Sequence, residues 1–153
     1  MRNAFSNPLR RQVSRRFLSG LVLAAGLSVV APATAHAHGD YTPAQAKHGA
    51  QLYSEHCAQC HGSELQGQTG PALAGSDFKG SLEYSKMSAK QLFHFMATQM
   101  PYNDPGSLKK QQYLDVLAYI LSKNGYPAGD EHLSESSLSH VKLLPYPGSS
   151  QSH

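Results

Sequence analysis

The chain has 153 residues, with 13 Lys and Arg against 10 Asp and Glu, nine His, two Cys and no Trp, for a formal charge of +3. Two cysteines exclude a disulfide-stapled scaffold and a four-cysteine zinc site. All five arginines lie within the first 16 residues, so the positive total is no argument for nucleic-acid binding by the rest of the chain.

Residues 1–37 read as a secretory signal peptide. Arg2, Arg10, Arg11, Arg15 and Arg16 give a basic opening, residues 17–31 are an apolar run of 15, and Ala33-Thr34-Ala35 or Ala35-His36-Ala37 offers a small-residue cleavage site. The run is short for a membrane span of about 20 residues, which makes an uncleaved anchor the second choice. Cleavage after Ala35 or Ala37 leaves 118 or 116 residues, with eight lysines against ten Asp and Glu and a formal charge of −2. That length is one domain. The expected location is the periplasm, with no stable membrane span after cleavage.

His38-Gly39-Asp40-Tyr41 is polar and expected to fray. Thr42 can then cap a helix with Pro43 at its first position, and Ala46, Gly49, Ala50 and Tyr53 share one face at helical spacing. A glycine inside a helix costs about 1 kcal/mol relative to alanine, so Gly49 is there to let another helix approach. The helix runs directly into Cys57-Ala58-Gln59-Cys60-His61.

Two thiols three residues apart sit on one turn, and each can add to one vinyl group of a porphyrin while the adjacent imidazole meets the iron. The pattern therefore marks the covalent attachment site of one c-type haem on Cys57 and Cys60, with His61 as proximal axial ligand. A redox-active dithiol would need a strand, turn and helix context, and no strand-like run precedes Cys57. A zinc knuckle would need a second ligand pair, and the chain holds no further cysteine.

Residues 62–80 hold Pro71 and several glycines without sustained periodicity, and are predicted to be loop. Within them stands Gly70-Pro71-Ala72-Leu73. The Pro71 carbonyl could accept the imidazole N–H that does not face iron, or Pro71 could merely shape a turn. Ser88-Ala89-Lys90-Gln91 forms a capping box for a second helix, which should end at Met100 because the residue before Pro101 is pushed out of helical conformation. A methionine leaving a helix can turn its thioether toward the iron. Met96 and Met87 remain alternatives for that role.

Ser107 can cap a third helix over residues 108–123, with Tyr113, Val116, Leu117, Ile120 and Leu121 on its inner stripe and Tyr119 placed to meet Gly49 or Tyr53. Asn124-Gly125 ends it, and Pro127 follows. Leu138, Val141, Leu143 and Leu144 could pack as a strap before a disordered tail.

In their order along residues 43–129, these motifs resemble those of the class I c-type cytochromes. The closing helix carries the family pattern as Tyr113, Asp115-Val116 and Ala118-Tyr119-Ile120-Leu121. The resemblance implies an all-α fold, a small shell of three main helices and loops wrapped around one covalently bound haem c. It implies Cys57 and Cys60 as attachment points, His61 and Met100 as axial ligands, and Pro71 as acceptor for His61. The expected domains are 38–129 for the cytochrome and 130–153 for a C-terminal extension, partly packed and then disordered. A narrower likeness is to haem domains serving quinone-dependent alcohol dehydrogenases. It rests on Met100-Pro101, Pro105-Gly106-Ser107-Leu108 and Asn124-Gly125-Tyr126-Pro127-Ala128-Gly129. One departure from many relatives is the lack of a Trp to steady a haem propionate.

An iron with both axial positions filled has no open site for substrate, so the implied role is a single-electron carrier and not an enzyme. Its partners would be redox proteins, a dehydrogenase as donor and an oxidase or another cytochrome as acceptor. A tightly bound subunit of a quinoprotein dehydrogenase complex is one alternative reading. A haem enzyme or gas sensor with an open sixth site is the other. Lys79, Lys86, Lys90, Lys109 and Lys110 could edge a docking patch, although solvated lysines are the simpler reading. His94, His132 and His140 are read as surface or core residues, since no second attachment motif exists.

Overall fold

Helical periodicity dominates the computed structural model, which describes residues 39–147. The expected signal peptide, residues 1–37, and the tail beyond 147 lie outside the described residues. Five α-helices follow one another: α1 (Pro43–His56), α2 (Ala58–His61), α3 (Gly75–Ser85), α4 (Ala89–Gln99) and α5 (Lys110–Lys123), with a 3-10 turn at Ser137–Ser139. No β-strand occurs among the described residues, so the all-α class is as expected.

The crossing of α1 on α5 organises the core. Thr42 caps α1, its hydroxyl accepting from Gln45 N at 3.2 Å, with Pro43 at the start of the helix. Gly49 meets the α5 backbone so closely that a Cβ there would fall 1.8 Å from the Asp115 carbonyl oxygen. One turn on, the rings of Tyr53 and Tyr119 pack with centroids 5.3 Å apart. Val116, Leu117, Ala118, Ile120 and Leu121 are all buried behind this contact. Each large aliphatic side chain so buried contributes about 1.5–3 kcal/mol.

The capping box of α4 is formed: Ser88 Oγ accepts from Gln91 N at 3.3 Å, and Gln91 Oε1 accepts from Ser88 N at 2.9 Å. Three local expectations need correction. The stretch 62–80 is not loop throughout, because α3 begins at Gly75 and buries Phe78 and Leu82, one turn apart. At its far end Lys86 takes the left-handed conformation, with φ of 55°. Helix α5 starts later than Ser107, with Lys109 at the N-cap position and its N–H held by Gln112 Oε1 at 2.9 Å.

The third correction concerns residues 39–41, which are pinned and not frayed. Asp40 N donates to Pro127 O at 2.9 Å, Gly129 N to Tyr41 O at 2.8 Å, and Tyr41 is buried. The segment after α5 is fastened as well. Gln45, buried on α1, donates to Leu133 O at 2.9 Å and accepts from Leu133 N at 2.8 Å, as a neighbouring strand would. Leu133, Leu138, Val141, Leu143 and Tyr146 are buried in the same core.

Candidate haem-attachment site

Helix α1 ends at His56, and Cys57, its C-cap, leads straight into the cysteine turn. Cys57 N still bonds to Tyr53 O at 2.8 Å, while Cys57 O accepts from Cys60 N at 3.1 Å and from His61 N at 3.0 Å. Cys57 is thereby set at the N-cap of the single turn α2 and Cys60 within it, the first half-buried and the second exposed, and neither is in a disulfide. The Tyr53 hydroxyl closes the turn from below, donating to Gly62 O at 2.6 Å. Burial, followed by the charges of Cys57 and other neighbours, pushes the Tyr53 phenol up, which keeps that donor protonated.

Burial and the neighbouring Cys60 push the Cys57 thiol up from 9.0 to about 11. A dithiol oxidoreductase needs the reverse, a thiol lowered toward neutrality so that the thiolate can attack. The turn is therefore a poor redox disulfide. Among the described residues no group of three or more His, Cys, Asp or Glu is gathered to hold a metal ion directly.

His61 is buried, and its imidazole is oriented by the loop that follows. Nδ1 lies 2.7 Å from Pro71 O. A carbonyl can only accept, so the proton sits on Nδ1 and the lone pair on Nε2. Nε2 has no hydrogen-bond partner among the described residues. Gly70 packs against the ring, where a Cβ would come 2.9 Å from Cε1. Backbone bonds clamp both ends of this loop to the turn: Gly67 N to His61 O and Gly70 N to Cys60 O, each 2.8 Å.

The three candidate methionines differ in placement. Met96 is buried in the core and Met87 packs against it, whereas Met100 belongs to neither group. Met100 occupies the C-cap of α4 in extended conformation, φ −124° and ψ 154°, as a residue before proline must. Its carbonyl accepts from the Tyr113 hydroxyl at 2.6 Å and from Gly106 N at 3.1 Å, so the α5 stripe and the 101–106 turn both hold it. A groove of about 640 Å³ runs along α4 past Met87, Lys90, His94, Phe95 and Gln99.

Residues 44–120, half of the chain, match the family model described as cytochrome c oxidase, cbb3-type, subunit III. The chain belongs to this family of c-type cytochromes. The fold is also similar to that of the sulfane dehydrogenase SoxCD from Paracoccus pantotrophus, with a TM-score of 0.52 at 22% identity. That alignment covers 67% of this chain and 55% of the SoxCD chain, so the chain spans little more than half of the structure it matches. No curated protein matches the sequence.

As a c-type cytochrome the protein carries covalently bound haem c. The donor set fits that group: two free thiols on one turn, an imidazole with its lone pair on the outer nitrogen, and a thioether outside the packed core. No helix among the described residues is long and apolar enough to cross a membrane. Sequence reasoning named Cys57, Cys60, His61, Pro71 and Met100, and missed the Tyr113 hydroxyl on Met100 O and the Tyr53 hydroxyl on Gly62 O. One signal was available: a tyrosine on a buried stripe must find a partner for its hydroxyl.

Proposed function

We propose that Cys57 and Cys60 hold one haem c by thioether bonds, that His61 and Met100 are its axial ligands, and that the protein carries single electrons in the periplasm from a donor dehydrogenase to a terminal acceptor. The observation that carries this reading is the His61 Nδ1 to Pro71 O hydrogen bond of 2.7 Å on a turn that also presents both thiols. Residues 1–37 act as the export signal, 38–129 as the cytochrome domain and 130–153 as its extension. When bound, the haem supplies a one-electron couple between ferric and ferrous iron.

The chain's own residues set the terms of that exchange. Pro71 fixes the tautomer of His61 and raises the basicity of Nε2. A thioether from Met100 favours the reduced state and raises the potential. Tyr113 and Gly106 hold the Met100 backbone, which limits movement at the iron when its charge changes. Tyr84 and Tyr102, 91% and 84% exposed, lie free for a transient partner contact.

Expression in a host competent in cytochrome maturation tests the assignment. The expected product is pigmented and keeps its haem in acid acetone, whereas C57A and C60A together give colourless protein. The Met-Pro and Pro-Gly-Ser-Leu likeness makes a quinoprotein alcohol dehydrogenase the first donor to try. Reduction of the ferric protein by such an enzyme supports it, and failure to be reduced removes that donor class.

A further inference from the structure

The amide of Asn124 joins three parts of the molecule that are remote in sequence. Nδ2 donates to Ile120 O at 2.7 Å, within the last turn of α5, and to Leu73 O at 2.9 Å, in the loop after Pro71. Oδ1 accepts from Gly75 N at 3.2 Å and from the Tyr146 hydroxyl. All four hydrogen-bonding positions of the amide are used, and the residue is 3% exposed. A buried side chain so fully satisfied behaves as a fixed joint.

What that joint holds is the segment that positions the imidazole. Residues 70–74 have no regular structure, and Pro71 itself is exposed. Upstream the segment is tied by Gly70 N to Cys60 O. Downstream its ties are Leu73 N to Leu65 O at 2.8 Å, the two bonds that Asn124 makes to Leu73 and Gly75, and a backbone bond from Gly75 to Tyr146. Pro71 O, which takes the His61 proton, lies between these anchors. Asn124 is in turn locked by Tyr146, the far end of the packed C-terminal segment, whose ring meets that of Tyr126 edge-on at 6.1 Å.

We propose that Asn124, locked by Tyr146, is a positioning residue for His61: it fixes the 71–75 loop so that the Pro71 carbonyl keeps hold of Nδ1–H. The C-terminal segment thereby sets the donor strength of the axial nitrogen. The inference rests on His61 being the axial ligand. A firm carbonyl partner makes the imidazole a stronger donor and stabilises ferric iron, so loosening it raises the reduction potential.

The test uses the exported holoprotein and three variants. Tyr146→Phe keeps the ring and removes the hydroxyl, Asn124→Ala removes the joint, and Ser88→Ala weakens the distant α4 cap as a stability control. The readouts are His61 Nδ1–H exchange by proton NMR in the ferrous state, the reduction potential, and thermal unfolding. Loss of one hydrogen bond of ordinary strength speeds local opening roughly fivefold. Exchange should therefore quicken about fivefold in Y146F and further in N124A, with the potential shifted upward in both. S88A should lower the unfolding temperature and leave exchange and potential at wild-type values. Y146F and N124A that behave like S88A would overturn the proposal. Failure of the underlying ligand reading looks different, because the wild-type protein would then show no haem-bound histidine Nδ1–H at all.

Discussion

A methionine's role is decided by whether its sulfur is already spent on packing. Met96 sits in the core with Phe93 and Leu92, and Met100 does not. Substitution separates the two. M100A should abolish the sulfur-to-iron band in the near-infrared spectrum and lower the reduction potential, since a thioether favours ferrous iron. M96A should keep the band and cost roughly 2–5 kcal/mol of stability, as buried methionines do. Spectra and denaturant melts of the two variants check this, and loss of the band in M96A alone would reassign the ligand. The cysteine turn and the Gly70-Pro71 pair are legible in sequence because their chemistry is local. Sequence pattern alone marks Tyr113 only as a stripe residue and Asn124 only as a helix stop. The partners of their polar tips lie 13 and 51 residues away and are set by tertiary packing.

The elements that sequence reasoning located best carry their own start signals. Thr42-Pro43 and the Ser88 capping box mark α1 and α4 through side chains that satisfy orphan N–H groups. Helix α3 lacks such marks: it opens on Gly75, has no side-chain cap, and buries only Phe78 and Leu82. Its hydrophobic period is too short to stand out from the glycine-rich stretch before it. Residues 39–41 looked free because their partners, Pro127 and Ala128, come together only after α1 and α5 have crossed. That crossing depends on Gly49. G49A would set a methyl carbon 1.8 Å from Asp115 O, and the obstacle is backbone, which cannot swing aside. The expected loss is about 1–3 kcal/mol or more, measured as a lower denaturant midpoint with unchanged haem attachment. An unchanged midpoint would mean that the helices do not meet there.

Across the whole molecule, buried phenols link stability to alkaline pH. Burial first of all pushes Tyr41, Tyr53, Tyr126 and Tyr146 above their ordinary value of 10.0. Below pH 10 both folded and unfolded chains keep these protons; above it the unfolded chain releases them first, so stability falls as pH rises. Cys57 adds to this only while its sulfur is a free thiol. Its shift from 9.0 to about 11 removes at most about 3 kcal/mol from the haem-free chain across that window. Denaturant melts as a function of pH should show the haem-free chain weakening from about pH 9 and the holoprotein only from about pH 10. Coincident profiles would show that Cys57 is not in a thioether.

The most direct test of the account is a redox-titrated visible and near-infrared spectrum of the exported protein. A haem resistant to acid acetone, one single-electron transition and a near-infrared sulfur band in the ferric state that M100A removes are the predicted result. Colourless protein, or pigment that acid acetone strips away, would contradict it.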